Sequence, residues 1–487
     1  MNTPQDRPNI GGAEGAMQTS GSPFRVRNAR EILALATPTI LTMLSQTLMW
    51  TVDTALLGRV SSLALASAGL GGLLTWTLYS LFNNLSRISG TFVAQAHGKN
   101  DDRAVGDYVW QSLYLAIATG AILQAAGYFS YIVLPLTQNP PDVLLGTYVY
   151  VKWRTLSAVA QQLGFSLMGF FQGRRDVKIP MWAGIVSNIV NLVLDLWLIF
   201  GWSGVTFAGH TWLAMPALGV KGAAIATSCS VVVNALILLV WMVAPAAHRH
   251  RYAVHRPRRI DIAKIWDMVR VGAPAAWEGA VDMSGFLLFS IFVGRAGAVA
   301  LAANQITIQV LSFSFMPMWG LTIAGSILTG NWIGAGRPDL AAAYGRQVYK
   351  LGAYYALALA AFLILLRGHL FAVFTTDPAV LAFGASLAVV AAVFQFFDGM
   401  RMISIGLLQG AGDTRFPMLA SLVLLWGGFV PLSYFVIVVR NGDVVTGWML
   451  GAFCYLLMAG VLFARFRSGA WRAVRIFGTE RTDSAVG

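Results

Sequence analysis

Charge is what this chain has least of. Of its 487 residues only 11% are Asp, Glu, Lys or Arg, while 57% are hydrophobic. A soluble domain carries about 25% charged residues, so this surface must face lipid rather than water. Cysteine is also nearly absent. Cys229 and Cys454 both fall inside apolar stretches, which excludes a disulfide framework or a thiolate metal site. There is no Gly-x-x-x-x-Gly-Lys-Ser/Thr loop, and therefore no Walker-type site to draw energy from ATP. His97, His210, His248, His250, His255 and His369 lie mainly in loops, without the spacing of metal ligands or a catalytic base. Residues 1–24 are polar and rich in Gly, Pro, Ser and Asn, with neither the apolar core nor the cleavage site of a signal peptide.

What the chain does have is a series of apolar runs, each long enough to cross the hydrocarbon as a helix. Twelve are read, at about 32–57, 66–95, 107–133, 144–170, 179–201, 217–243, 265–293, 301–330, 347–367, 379–408, 416–439 and 446–466. They are continuous and lack a period of two, which predicts helices rather than barrel strands. The net charge of +13 gathers in alternate loops, among them Arg174, Arg175 and Lys178, and Arg249, Arg251, Arg256, Arg258 and Arg259. That asymmetry is the positive-inside pattern, not a nucleic-acid face, and it puts both termini in the cytoplasm. The expected location is a bacterial plasma membrane, crossed many times.

The chain also repeats itself. Gly169-Phe-Phe-Gln172-Gly173-Arg-Arg-Asp176 through Pro180-Met181 returns, 237 residues on, as Gly406-Leu-Leu-Gln409-Gly410-Ala-Gly-Asp413 through Pro417-Met418. Pro38 and Pro274, Gly58-Arg59 and Gly294-Arg295, and Gly98 and Gly334 each lie 236 apart. Internal repeats of this kind are the usual build of secondary transporters. The expected organisation is a disordered tail over 1–28, a six-helix lobe over 29–243 and a basic linker over 244–262. A second six-helix lobe follows over 263–467, then a tail over 468–487.

Five acids fall within the spans: Asp53, Asp195, Glu278, Asp282 and Asp398. An ionised carboxylate in a bilayer is expensive, so each marks a function by default. The repeat sharpens this. Asp282 and Asp398 correspond to Gln46 and Gln161, whereas Asp53 and Asp195 correspond to Phe289 and Leu432. A purely structural need would hold acids at equivalent positions; two chemically separate pockets, one per lobe, explain the pattern better. In the first lobe Asn188, Asn191 and Asp195 form one stripe of the fifth span, and Asp53 lies on the first span seven residues after Gln46. Carboxylates with carboxamide oxygens make a hard set suited to H+ or Na+ rather than zinc or copper. The plainer alternative is that these groups only brace neighbouring helices. In the second lobe Glu278 and Asp282 are an i, i+4 pair, and two like charges that close call for a shared proton or cation. Asp398 stands three residues before Arg401, and an intrahelical ion pair is the alternative there. Trp50, Trp76, Trp277, Phe286, Phe394, Phe396, Phe397 and Trp426 lie on the same helices, as would suit stacking and cation–π contact with amphiphilic organic cations.

These motifs together resemble the multidrug and toxic compound extrusion (MATE) family over about residues 30–466. They are Pro38…Gln46…Asp53…Gly58, Gln95-Ala-His-Gly98, Gly219-Val-Lys221-Gly222-Ala-Ala-Ile-Ala-Thr227, Ala303-Asn304-Gln305-Ile306 and the paired Gln-Gly…Asp…Pro-Met segments. The resemblance implies an all-α integral membrane fold of twelve transmembrane helices in two homologous six-helix lobes set as a V. It implies an antiporter, monomeric in the family's manner, that exports organic cations and other amphiphiles for Na+ or H+ and needs no other cofactor. Carried over residue by residue, it implies a cation or proton site at Asp53, Asn191, Asp195 and Thr227. Asp282 and Asp398 fall where the NorM-type branch has acids, with Phe394 in place of a nearby aromatic, so a Na+ could also sit there. Gln46, Trp50, Trp277, Gln305 and Phe394 are the expected substrate contacts; Asn188 and Glu278 join the ion-coupling set from the residues alone. The chain departs from the DinF-type branch in having Leu196, not Pro, after the fifth-span Asp.

Three other readings are weighed. A lipid-linked oligosaccharide flippase would need a basic cavity for pyrophosphate, yet Arg87, Lys152, Arg154 and Arg401 are the few bases within the spans. A channel would not need acids divided so unequally between two lobes. No nucleophile or metal constellation suggests an enzyme. Residues 202–216 form a long external loop with no assigned role.

Overall fold

A computed structural model describes residues 22–201, 205–207, 210–212 and 215–478. The first lobe comprises α1 (Ser22–Val60), α2 (Ser62–Arg87), α3 (Ser89–Gly98), α4 (Asp102–Tyr128), α5 (Pro141–Thr155), α6 (Ala158–Gly173), α7 (Lys178–Phe200) and α8 (Val220–Val243). A short α9 (Ala246–Tyr252) leads to the second lobe. There follow α10 (Ile262–Arg295), α11 (Ala298–Gly334), α12 (Pro338–Leu365), α13 (Arg367–Ala372), α14 (Pro378–Ala411), α15 (Arg415–Ser421), α16 (Val430–Tyr434) and α17 (Val444–Ser468). Among the described residues, eleven helical segments are long and apolar enough to cross a membrane.

The remaining expected span, 144–170, is broken between α5 and α6 at Leu156 and Ser157. Hydroxyls there compete with the helical ladder. Ser157 Oγ donates to the Arg154 carbonyl at 3.1 Å and Thr155 Oγ1 to the Val151 carbonyl at 2.9 Å. The eleventh span is irregular in another way, for π-helical turns at Leu422–Phe429 and Phe435–Val439 flank α16. Pro38, Pro274 and Pro317 lie inside continuous α1, α10 and α11. Residues 205–207 and 210–212 pair as a small antiparallel hairpin, β1 and β2, within the long loop; residues 202–204, 208–209 and 213–214 lie outside the described set.

The repeat is expressed in how the lobes meet. Helix α1 packs on α11 and α10 on α2, and these two contacts are mates under the repeat. At the end bearing most of the basic loops, here the basic end, Gln95 Nε2 donates to the Gly410 carbonyl at 3.1 Å. Its repeat mate, Asn331 Nδ2, donates to the Gly173 carbonyl at 3.0 Å. Thr91 Oγ1 donates to the Gln409 carbonyl at 3.2 Å, and Tyr344 hydrogen-bonds Glu31 nearby. The backbones come so close that a Cβ on Gly98 would lie 2.0 Å from the Asn331 carbonyl oxygen, and one on Gly334 2.0 Å from that of Gln95. The lobes are therefore clasped at the basic end.

The segment read as a linker is docked along α4. Trp110, Tyr114 and Gln111 donate to the carbonyls of Val254, Arg258 and Arg259 at 3.2, 2.6 and 2.9 Å. Arg251 pairs with Asp102 at 3.0 Å, and Asp107 takes Arg258 at 3.1 Å and Lys264 at 2.7 Å. Through these ties the first lobe holds the chain up to the start of α10. At the termini, α1 begins at Ser22, inside the expected tail 1–28, whose residues 1–21 lie outside the described set. Of the expected tail 468–487, residues 479–487 lie outside it as well. The described part packs inward: Trp471 is buried against Phe466, and Phe477 meets Phe92, Tyr108 and the Lys99 ammonium.

Candidate ion and substrate sites

In the first lobe, α1 and α7 bring Asp53 and Asp195 face to face, with Asn191 one turn from Asp195 and Thr227 of α8 beside them. All four are buried. Both oxygens of Asp195, both amide atoms of Asn191 and Oδ1 of Asp53 are buried without a hydrogen-bond partner. Two facing carboxylates are acceptors only, so they cannot pair with each other unless a proton is shared or a cation is coordinated between them. Thr227 Oγ1 donates to the Ala223 carbonyl at 2.9 Å, which leaves its oxygen able to accept or ligate. Asn188 stands apart: its amide hydrogen-bonds Ser45 and not the acids.

Sequence reasoning missed the surroundings of this pair. Arg154, at the broken fourth span, acts electrostatically on Asp53, and the half-buried Tyr150 lies near both acids. Arg154 hydrogen-bonds Ser157 Oγ at 3.1 Å and Gln161 Oε1 at 3.2 Å. Its presence within a span was legible; its approach to α1 was not, because that depends on the break at Leu156 and Ser157.

In the second lobe a single guanidinium gathers all three acids. Arg401 reaches Asp398 at 2.7 Å, Asp282 at 3.1 Å and Glu278 at 3.4 Å. The intrahelical pair Asp398–Arg401 is thus present, but as part of a larger cluster. Tyr455 Oη donates to Asp282 Oδ1 at 3.2 Å, its ring lies 5.0 Å from the guanidinium carbon, and Ser421 Oγ donates to Glu278 at 3.4 Å. Asp282 is the outermost acid, with 24% of its side chain exposed against 8% for Glu278 and 3% for Asp398. Tyr455 carried no signal in the sequence.

The expected substrate contacts separate into two groups. Gln46, Trp50, Trp277 and Gln305 are exposed, and Trp50 packs on Trp76 with ring centroids 5.4 Å apart. Phe394 is different. It is buried against Tyr455, Trp448 and Phe286, at 4.5, 5.2 and 6.3 Å between centroids, and lines no open face. The tenth span turns that ring inward to cover Tyr455, so its aromatic character serves the acid cluster from behind.

A helical body in two repeated halves, with a buried acidic set in each, matches the MatE family over residues 38–197 and 274–435. This chain belongs to the MatE family. It is 30% identical to the multidrug resistance protein PmpM of Pseudomonas aeruginosa over 416 residues, 84% of each chain. It is 28% identical to a probable multidrug resistance protein NorM of Thermotoga maritima over 459 residues, 93% of this chain and 95% of that one. Among solved structures, an outward-facing multidrug resistance MATE family transporter of the MOP superfamily superposes with a TM-score of 0.78 at 20% identity, covering 92% of this chain and 97% of that one. The MatE protein is therefore a multi-pass membrane transporter with NorM-like relatives, not an enzyme, and its two-lobed helical fold is that of its structural neighbours.

Proposed function

We propose that this transporter exports amphiphilic, mainly cationic organic compounds in exchange for Na+ or H+. The observation that carries the reading is the first-lobe set: five buried polar atoms of Asp53, Asn191 and Asp195 that lie together yet make no hydrogen bond of good geometry. Leaving a buried polar group unpaired costs about 1–3 kcal/mol each. Such a set persists where an ion or proton completes it for part of a cycle. Relatives named as multidrug resistance proteins support the substrate class.

The working cycle follows from the clasp. With the lobes joined at the basic end, the scheme has the ion enter and the substrate leave on the opposite side. The basic loops argue that the closed end is cytoplasmic, in a bacterial plasma membrane, with both termini inside. From outside, a cation enters the Asp53–Asn191–Asp195 set and neutralises it, which weakens the hold on a bound organic cation. The compound leaves, the lobes part at the clasp and rejoin at the far end, and the ion is released to the cytoplasm. A new organic cation then meets recharged acids, with Gln46, Trp50, Trp277 and Gln305 as its expected contacts. Pro38 and Pro274, each lacking one backbone donor, allow α1 and α10 to bend as the lobes rock. The protein works as a monomer in this scheme.

Expression in a drug-sensitive bacterial host tests the reading. The intact protein should raise the ethidium concentration the cells tolerate, and Asp53→Asn at equal membrane abundance should not. Equal protection by both would leave the first-lobe acids without a role.

A further inference from the structure

The two lobes treat their arginines differently, although one scaffold position serves both. Gln161 and Asp398 are equivalent in the repeat, and each accepts from an arginine: Arg154 donates to Gln161 Oε1 at 3.2 Å, and Arg401 to Asp398 Oδ1 at 2.7 Å. In the first lobe the partner is an amide, and among the described ion pairs none joins Arg154 to a carboxylate. Asp195 keeps both oxygens, and Asp53 its Oδ1, without a hydrogen-bond partner. In the second lobe the guanidinium takes all three acids, and no buried oxygen of Glu278, Asp282 or Asp398 is among the unsatisfied atoms.

We propose that Arg401 is the resident cation of the second lobe: it stands among Glu278, Asp282 and Asp398 where a small coupling ion would otherwise bind, and so confines Na+ or its equivalent to the first lobe. The inference rests on the antiport reading above for its meaning, but not for its test. A guanidinium suits the position because its planar fork offers five fixed donors and stays charged. Here that fork is divided among three carboxylates, while Tyr455 covers the guanidinium and hydrogen-bonds the outermost acid. Arg401 and Asp398 are almost fully buried, so the side chain has no water to retreat into. An entering Na+ would have to displace a covalently tethered cation of the same charge that already makes three ion pairs. Asp282, the most exposed of the three acids, remains reachable from the cleft by the positive end of an organic substrate, which needs only one carboxylate face. Arg401 acts in this through the acids it holds and is a positioning residue.

The test is the thermal unfolding midpoint of the purified, detergent-solubilised full chain in NaCl against choline chloride at fixed pH and ionic strength. Arg401→Ala and Arg401→Gln each expose three carboxylates, and their midpoints should rise with Na+ by about 3–5 °C beyond any rise seen in the wild type. Arg401→Lys, which keeps a tethered charge, should show no such gain. In the wild type, any Na+ response should vanish with Asp195→Asn and survive Asp398→Asn. The proposal is overturned if neither neutral variant gains a Na+ response. It is equally overturned if Asp398→Asn removes a response that Asp195→Asn leaves intact, and that comparison stands even where the arginine variants do not fold. Because no transport is measured, a protein that gains the response on Arg401→Ala yet exports nothing would keep this inference and lose the antiport reading.

Discussion

Asp195 presents two buried oxygens to Asp53 with no donor between them. An asparagine there brings its own N–H groups to meet the Asp53 carboxylate. Asp195→Asn should therefore stabilise the protein by about 1–3 kcal/mol while abolishing coupled transport. Thermal unfolding and efflux, measured on one preparation, check both halves; a destabilised variant that still transports would remove Asp195 from the mechanism. Tyr455 makes the opposite case. Its hydroxyl is a donor to Asp282, so Tyr455→Phe should cost about 1–3 kcal/mol in denaturation, with the ring packing on Phe394 retained. At this scale the sequence showed which residues were chemically out of place in a membrane: five acids and a few bases. It did not show which of them meet. Arg154 acts on Asp53 across 101 positions and Tyr455 on Asp282 across 173, and no periodic pattern spans such separations.

Among the elements, the clasp depends on glycines whose missing side chains let the lobes touch. A methyl group on Gly334 would lie 2.0 Å from the Gln95 backbone oxygen, whereas one on Gly72 of α2 would meet nothing within 4 Å. Gly334→Ala should therefore destabilise by about 1–3 kcal/mol through overpacking. Gly72→Ala should hold or gain up to about 1 kcal/mol through helix propensity. Chemical denaturation of the two variants side by side checks the contrast, and equal behaviour would mean the basic-end contact is not tight. The repeat had already paired Gly98 with Gly334 and Gly173 with Gly410, so the positions were legible as landmarks though their packing was not. Spans were legible wherever apolar runs continued. Within the fourth, the break at Leu156 and Ser157 was not legible, because hydropathy does not register where the backbone of an apolar run leaves the helix. The docking of the linker was not legible for a related reason. Its basic residues suggest solvent, but Asp102, Asp107 and three side chains of α4 hold it down.

For the whole molecule, two similar halves meet at one end through mated contacts and carry unlike acid sets within. Symmetric contacts suit a body that closes first at one end and then at the other, while unlike interiors allow one half to bind an ion and the other a substrate. The repeat and the apolar runs made the two-lobed helical architecture legible in the sequence. The unlike surroundings of the two acid sets came only with the geometry, because they depend on what Arg154 and Arg401 reach.

The central claim is exchange driven through the first-lobe acids. The measurement that tests it most directly is ethidium efflux from proteoliposomes under an imposed Na+ gradient at clamped pH, then under a pH gradient without Na+, for wild type and Asp195→Asn. Efflux that one of these gradients drives in the wild type and neither drives in the variant is the predicted result. Efflux that runs equally well without a gradient, or that Asp195→Asn leaves intact, would contradict it.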